Sequence, residues 1–207
     1  TPLPVMMTTE LCAYTRAACD VARRCGVTRI ELCAAPLEGG TTPSAALLRY
    51  ARSLDGLRLS VMIRPRGGDF LYTDDEVDLM ASEIRFAREC GADGVVLGLL
   101  TPDGEVDEER TARLVREAGP LEVTFHRAFD MVRDPQRALE ALIACGCRRV
   151  LTSGGRNTAL EDDGFYANIY PVDNVITAAI GLLGDSVRQP GAVAPAQPAD
   201  GSPRAED

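Results

Sequence analysis

The tripeptide Glu-Leu-Cys occurs twice in this chain, ending at Cys12 and again at Cys33, each time at the close of a short strand-like run. Side chains alternate between the two faces of a strand, so Glu and Cys of each copy share one face and Leu takes the other. On two neighbouring parallel strands, Glu10 and Glu31 would therefore point into the same space as the two thiols. The repeat predicts a site that combines thiols with carboxylates.

The two thiols are candidate metal ligands. Adjacent strands lie about 4.8 Å apart, so Cys12 and Cys33 would meet one ion. Soft thiolates suit Cu(I), and a carboxylate or the lone imidazole of His126 would complete its coordination. The alternative is that both are small core residues, as free cysteines usually are. The other cysteines lie on helices or beside helix ends and are interpreted as structural: Cys19, Cys25, Cys90, Cys145 and Cys147.

The two carboxylates also admit two interpretations. Inside a barrel, Glu10 and Glu31 would act as general acid and base, because proximity separates the pKa values of paired carboxyl groups. Buried charges otherwise require partners, and an ion-pair network with Arg64 is the alternative.

A second group of polar residues surrounds His126, near the end of the fifth strand-like run. Strand ends carry the catalytic residues of α/β barrels, where a neutral imidazole serves as base or metal ligand. A core histidine is the alternative. With Arg127 and Asp130 close behind it, and Arg64 at the end of the third run, this group predicts an anion-binding mouth, because the Arg side chain suits carboxylate or phosphate.

Strand-like runs alternate with helical patterns along most of the chain. The runs cover residues 5–12, 28–33, 57–64, 94–100, 121–127 and 148–153. Strict alternation predicts a parallel sheet covered by helices, and six units without a dinucleotide-binding fingerprint favour a (β/α)-barrel of TIM type. Two further units need at least about 60 ordered residues, more than follow Ser153. We therefore expect an incomplete barrel of about six βα units.

The pattern predicts one domain over residues 1–187. Residues 188–207 are rich in Pro, Ala and Gly and are predicted to be disordered. An incomplete barrel exposes strand edges, which leaves two alternatives: a homo-oligomer covers the open edge, or the chain is a truncated or altered version of a longer protein. In the helix after the second strand, Thr42 is predicted as the N-cap with Pro43 at the first helical position.

Composition excludes several classes of function. The net charge of -9 argues against nucleic acid or an anionic membrane as partner, and no apolar run is long enough for a transmembrane helix. The absence of Lys excludes Schiff-base chemistry, and a single His excludes a site built on several histidines of one chain. Seven cysteines, with no signal-peptide pattern in residues 1–7, favour reduced thiols in the cytoplasm.

Several sequence blocks resemble the CutC copper homeostasis family over roughly residues 8–160. These blocks are RIELC at 29–33, EGG at 38–40, TPS at 42–44, IRPRGGD at 63–69, VTFHRAFD at 123–130 and LTSG at 151–154. The resemblance implies a cytoplasmic (β/α)-barrel that takes part in copper homeostasis, with Cys12 and Cys33 as metal ligands. It also implies a set of polar residues lining the barrel mouth: Glu10, Glu31, Arg64, His126 and Asp130.

The leading hypothesis is a cytoplasmic protein that holds Cu(I) through thiolates at the strand ends, with no residue assigned to catalysis. The runner-up is a TIM-barrel enzyme that acts on a small anionic metabolite, with Glu31 or His126 as base and Arg64 binding the anion. The predicted partners are accordingly a copper ion or a small anionic ligand, and binding is favoured over catalysis.

Overall fold

The structure, a computed structural model, describes residues 9–155. Six parallel strands form one sheet in the order of the sequence. They are β1 (Glu10–Ala13), β2 (Arg29–Leu32), β3 (Arg58–Met62), β4 (Gly94–Leu97), β5 (Glu122–Phe125) and β6 (Arg149–Val150). The predicted alternation of parallel strands and helices is confirmed.

Helices connect each strand to the next. The α-helices are α1 (Arg16–Arg24), α2 (Ala45–Arg52), α3 (Asp74–Glu89), α4 (Glu108–Ala118) and α5 (Pro135–Cys145). Short 3₁₀ helices, η1 (Pro36–Glu38) and η2 (Arg127–Met131), follow β2 and β5. Across residues 9–155, no helix has the length and apolar character needed to cross a membrane.

The predicted start of α2 was wrong by two residues. The helix begins at Ala45, and the side chain of Ser44 caps it by accepting from the backbone N–H of Leu47. The hydroxyl of Thr42 is used elsewhere: it donates to Glu83 at 2.8 Å and accepts from the backbone N–H of Arg64 at 2.9 Å. Thr42 therefore joins the loop before α2 to the end of β3 and to α3.

The two faces of the sheet bury different kinds of side chain. The outer face packs apolar strand residues against the helices, and β2 contributes Ile30 and Leu32 to this main core. The inner face carries only a small apolar cluster of Cys33, Met62 and Val96, against which Tyr14 packs. Parallel strands covered on both faces bury both sets of side chains, so polar residues on the inner face lie inside the barrel.

The sheet curls into a half-barrel. Arg149 on β6 lies close enough to Glu10 and Arg29, on β1 and β2, for their charges to affect its pKa, which is lowered chiefly by burial. The predicted barrel class is thus confirmed. The predicted tail at 188–207 lies outside the described residues, and the homo-oligomer stays a prediction.

Candidate functional site

The register between β1 and β2 decides which side chains meet. Cys12 is the strand partner of Glu31, whereas Glu10 is the partner of Arg29. The two Glu-Leu-Cys copies are therefore offset by two residues. As a result Cys12, Glu31 and Cys33 converge, while Glu10 lies two residues further back along β1.

Both thiols donate to one carboxylate oxygen. The Cys12 Sγ lies 3.4 Å from Glu31 Oε1, and the Cys33 Sγ lies 3.6 Å from the same atom. Glu31 is 4% exposed. Burial and, secondly, the negative charge of Glu10 raise the pKa of Glu31 to about 7, although the hydrogen bonds from the two thiols oppose the rise. Glu31 therefore changes its charge near neutral pH.

Two neighbouring acidic groups, the Cys33 thiol and the Tyr14 hydroxyl, hold their protons more tightly than usual. The pKa of the Cys33 thiol is raised far above its usual value by its hydrogen bond with Cys12, by burial and by the charge of Glu31. Burial, followed by negative charge on Cys12, Cys33 and Glu31, raises the pKa of the Tyr14 hydroxyl. Sequence reasoning missed Tyr14, although its position two residues after Cys12 places it on the same face of the chain. We call Cys12, Tyr14, Glu31 and Cys33 the thiol cluster.

The thiol cluster suits a metal that accepts few soft ligands. Within the part of the chain that the structure describes, no three His, Cys, Asp or Glu side chains form a metal-binding group. Sites for Zn²⁺ with four protein ligands are therefore not formed by these residues. Two adjacent thiols that become thiolates on metal binding match the preference of Cu(I).

Charged residues deeper in the barrel pair with one another. Glu10 forms an ion pair with Arg29 at 3.0 Å, and both side chains are buried. Arg149 pairs with Glu122 at 2.8 Å and donates to the Thr124 hydroxyl at 3.0 Å. The ion pair of Glu10 is thus with Arg29 rather than with Arg64, the partner in the predicted network. Glu10 is occupied by this pair and supports the fold below the thiol cluster.

Arg64 binds backbone carbonyl groups. Its Nη1 donates to the carbonyls of Glu38 and, at 2.9 Å, Gly40, and its Nη2 donates to the carbonyl of Gly68 at 2.9 Å. The guanidinium carbon lies 5.1 Å from the centre of the Phe70 ring. Arg64 therefore holds the loops after β2 and β3 together. Among residues 9–155 it forms no ion pair.

His126 is a buried, neutral hydrogen-bond donor. Its Nδ1 accepts from the backbone N–H of Ala128 at 3.2 Å, so the proton of the neutral ring is on Nε2. Burial and the positive charge of Arg64 lower the pKa of His126 to about 3. The ring lies 4.9 Å from the ring of Phe70. A Cβ at Gly98 would come within 2.4 Å of the imidazole, so only glycine at this position leaves room for the ring.

Asp130 binds the segment that follows β6. Its carboxylate accepts from the Thr152 hydroxyl, from the backbone N–H groups of Ser153 and Gly155 at 3.0 Å each, and from Arg127 at 3.0 Å. Burial alone would raise the pKa of Asp130, but these hydrogen bonds outweigh it and hold the pKa below its usual value. The structure thus brings Arg64 and His126 together and gives Asp130 a separate set of contacts, joining η2 to the segment after β6.

The parallel half-barrel, with thiols and buried polar residues at its strand ends, defines a (β/α)-barrel protein of TIM type. The chain belongs to the CutC family, whose family model matches residues 7–181. The resemblance seen in the sequence blocks is therefore confirmed.

Curated relatives carry the same family name. A family protein CutC of Chromobacterium violaceum is 51% identical over 160 residues, covering 77% of this chain and 65% of that protein. A copper homeostasis protein cutC homolog of Mus musculus is 53% identical over 152 residues, covering 73% of this chain and 56% of that protein. The chain thus spans about three fifths of the length of these relatives.

Solved structures agree on the fold. A crystal structure described as a copper homeostasis protein CutC from Streptococcus agalactiae matches with a TM-score of 0.71 at 35% identity, covering 76% of this chain and 78% of that one. An aldolase matches with a TM-score of 0.55 at 12% identity, covering 73% of this chain and 68% of its own. The aldolase shares the barrel fold, and its chemistry does not transfer to this chain.

Proposed function

We propose that this protein binds Cu(I) through the thiolates of Cys12 and Cys33 and takes part in copper homeostasis in the cytoplasm. The observation that carries the proposal is the convergence of both thiols on Glu31 Oε1, at 3.4 and 3.6 Å. The names of the mouse and human relatives, copper homeostasis protein cutC homologs, point in the same direction.

In this proposal copper is the ion that the protein carries, and Glu31 accepts one of the protons that the thiols release. Each thiol must lose its proton to become a ligand, because metals bind thiolates. Glu31, with a pKa of about 7, is ionised above neutral pH and already accepts a hydrogen bond from both thiols. A buried pair of thiolates on Cu(I) leaves one net negative charge, which favours protonation of the adjacent carboxylate. Glu31 then takes up one of the two protons.

The first test is a titration of the reduced protein with Cu(I), under anaerobic conditions, against a competing chelator. The Cys12→Ser/Cys33→Ser variant is expected to lose tight binding. The matched control is Cys25→Ser/Cys90→Ser, which removes the same number of thiols outside the cluster, one of them exposed. Tight binding that survives in the first variant, or that is lost equally in both, contradicts the proposal.

A second test counts protons. At pH 8 the parent protein should release about one proton per Cu(I), because two thiols lose protons and Glu31 gains one. Glu31→Gln should release about two, since the amide cannot take up the proton. The measurement is calorimetry in buffers of different ionisation enthalpy. Equal proton release by the two proteins would show that Glu31 takes up no proton on copper binding. That result would not bear on the thiolate site, which the Cu(I) titration tests.

A further inference from the structure

Three buried hydrogen-bonding atoms at the barrel mouth have no partner among the described residues: Arg64 Nε, Tyr72 Oη and His126 Nε2. Their side chains belong to residues that are 5%, 5% and 4% exposed. Buried polar atoms are almost always paired, and each exception needs a physical explanation. We call these three residues the donor group.

The three residues lie in one place. The centre of the Phe70 ring lies 5.1 Å from the Arg64 guanidinium carbon and 4.9 Å from the centre of the His126 ring, which is tilted against it. The charge of Arg64 also acts on both other members: it helps burial to lower the pKa of His126, and it opposes the burial that raises the pKa of Tyr72. Arg64 is therefore close to both Tyr72 and His126.

Each unpartnered atom carries a hydrogen to donate. The Arg64 Nε bears one in the guanidinium, the Tyr72 hydroxyl bears one, and His126 Nε2 bears the ring proton because Nδ1 is an acceptor. The Tyr72 oxygen is the one acceptor among these three atoms, so their hydrogens outnumber the acceptors.

The site also lacks a negative charge. Arg64 contacts only carbonyl groups through Nη1 and Nη2 and forms no ion pair within residues 9–155. A buried charge is tolerated when it is paired. Water would satisfy the donors and leave the charge uncompensated, whereas an oxyanion supplies both acceptors and charge.

We propose that the donor group binds an oxyanion, the carboxylate or phosphate of a small metabolite, through hydrogen bonds from Arg64 Nε, His126 Nε2 and Tyr72 Oη. The ring of Phe70 lies beside Arg64 and His126, and we expect the ligand to displace that ring on entry. The site is separate from the thiol cluster and does not depend on copper binding.

The test uses the single histidine of the chain as a reporter. Full-length protein with ¹⁵N-labelled histidine is titrated with sodium phosphate and, separately, with sodium acetate, each matched in ionic strength by sodium chloride. The Nε2–H signal of His126 should shift and saturate below about 100 mM with at least one of the two oxyanions. The anion that gives a saturating shift shows whether the site takes a phosphate or a carboxylate group.

Variants decide whether the signal reports the proposed contacts. Tyr72→Phe removes one donor hydrogen and should weaken binding about tenfold. Tyr50→Phe is the matched control, because the Tyr50 hydroxyl donates to Asp20 outside the barrel, and it should leave the affinity unchanged. Arg64 is not varied here, since its loss would also release three loop carbonyls.

Several outcomes overturn the proposal. It fails if neither oxyanion saturates the His126 signal, if chloride shifts the signal equally, or if Tyr72→Phe binds as tightly as the parent. Repeating the titration with Cys12→Ser/Cys33→Ser separates the two sites. Unchanged anion affinity supports a separate site, and loss of anion binding in that variant contradicts it.

Discussion

The thiol cluster lies at the ends of β1 and β2, and the donor group lies at and after the ends of β3 and β5. Burial has opposite effects on the two regions. In the thiol cluster, burial raises the pKa of Glu31 to about 7. In the donor group, burial lowers the pKa of His126 to about 3. Desolvation favours the neutral form of any group, so an acid and a base move in opposite directions. The same barrel thereby brings Glu31 into the physiological range and takes His126 out of it.

Hydrogen bonding separates the two regions further. The thiol cluster shares one acceptor, Glu31 Oε1, between two donors. The donor group has three unpartnered donor atoms among the described residues, and the Tyr72 oxygen is its one acceptor. A positive metal ion suits the first region, since it replaces the thiol protons, and an anion suits the second. The two proposed ligands, a metal ion and an oxyanion, accordingly have opposite charges.

Loss of Arg64 should have the largest effect on stability. In Arg64→Gln the carbonyls of Glu38, Gly40 and Gly68 lose a charged donor, and orphaned buried carbonyls cost about 1–3 kcal/mol each. We expect the free energy of unfolding to fall by roughly 4 kcal/mol, measured by urea denaturation. Arg137→Gln, which removes one exposed ion pair with Glu105, should cost less than about 1 kcal/mol. Similar losses in the two variants would contradict the structural role of Arg64.

The thiol cluster should give stability an unusual dependence on pH. The folded pKa of Glu31, about 7, lies above its ordinary value of 4.5, so the folded state holds a proton that the unfolded state has released. This contribution is fully present below about pH 4.5 and is lost as the pH rises through about 7. At 1.36 kcal/mol for each pKa unit, the metal-free protein should lose about 3 kcal/mol over this interval.

The measurement compares denaturation of the reduced parent and Glu31→Gln at several pH values between 4.5 and 8. The difference in free energy of unfolding between them should shift by about 3 kcal/mol over that range, because the variant lacks the titrating group. Parallel curves for the two proteins would show that Glu31 is not desolvated as the structure describes.

Much of this contrast follows from the sequence. Period-two alternation placed Cys12, Glu31 and Cys33 on the inner face, and strand–helix alternation predicted the parallel sheet. The pairing of residues between β1 and β2 could not be predicted from the sequence. A shift of two residues between strands keeps every side chain on its predicted face, so the alternation pattern is the same for either pairing. Only the structure shows that Cys12 pairs with Glu31 and that Glu10 pairs with Arg29.

The donor group was harder to predict. Arg64 and His126 were placed at the barrel mouth, but the acceptors that Arg64 uses are backbone carbonyls, which every residue carries. Tyr72 and Phe70 come from a loop whose path depends on tertiary contacts. Asp130 was predicted at the mouth because of its motif, and its contacts with the segment after β6 depend on how the chain ends the sheet.

Gly98 offers a way to disturb the donor group alone. Its backbone does not require glycine, yet a Cβ there would lie 2.4 Å from the imidazole of His126. Gly98→Ala should therefore cost about 2 kcal/mol through overpacking and should shift the His126 signals. Gly56→Ala is the control: its φ of +81° is strained for alanine, and no atom lies within 4 Å. It should cost about 1 kcal/mol and leave the His126 signals in place. If Gly98→Ala changed neither the free energy of unfolding nor the His126 signals, the position of the imidazole ring would be contradicted.

The smallest expected effect is an absence of change. Because burial lowers the pKa of His126 to about 3, from an ordinary 6.5, its ¹⁵N signals should stay those of the neutral ring with the proton on Nε2 between pH 5 and 8. The sign is opposite to that of Glu31: the contribution of His126 to stability is fully present above about pH 6.5 and is lost as the pH falls toward 3. A titration of the imidazole near pH 6.5 would show an exposed ring. It would remove the contrast with the thiol cluster, since both regions would then change charge near neutral pH.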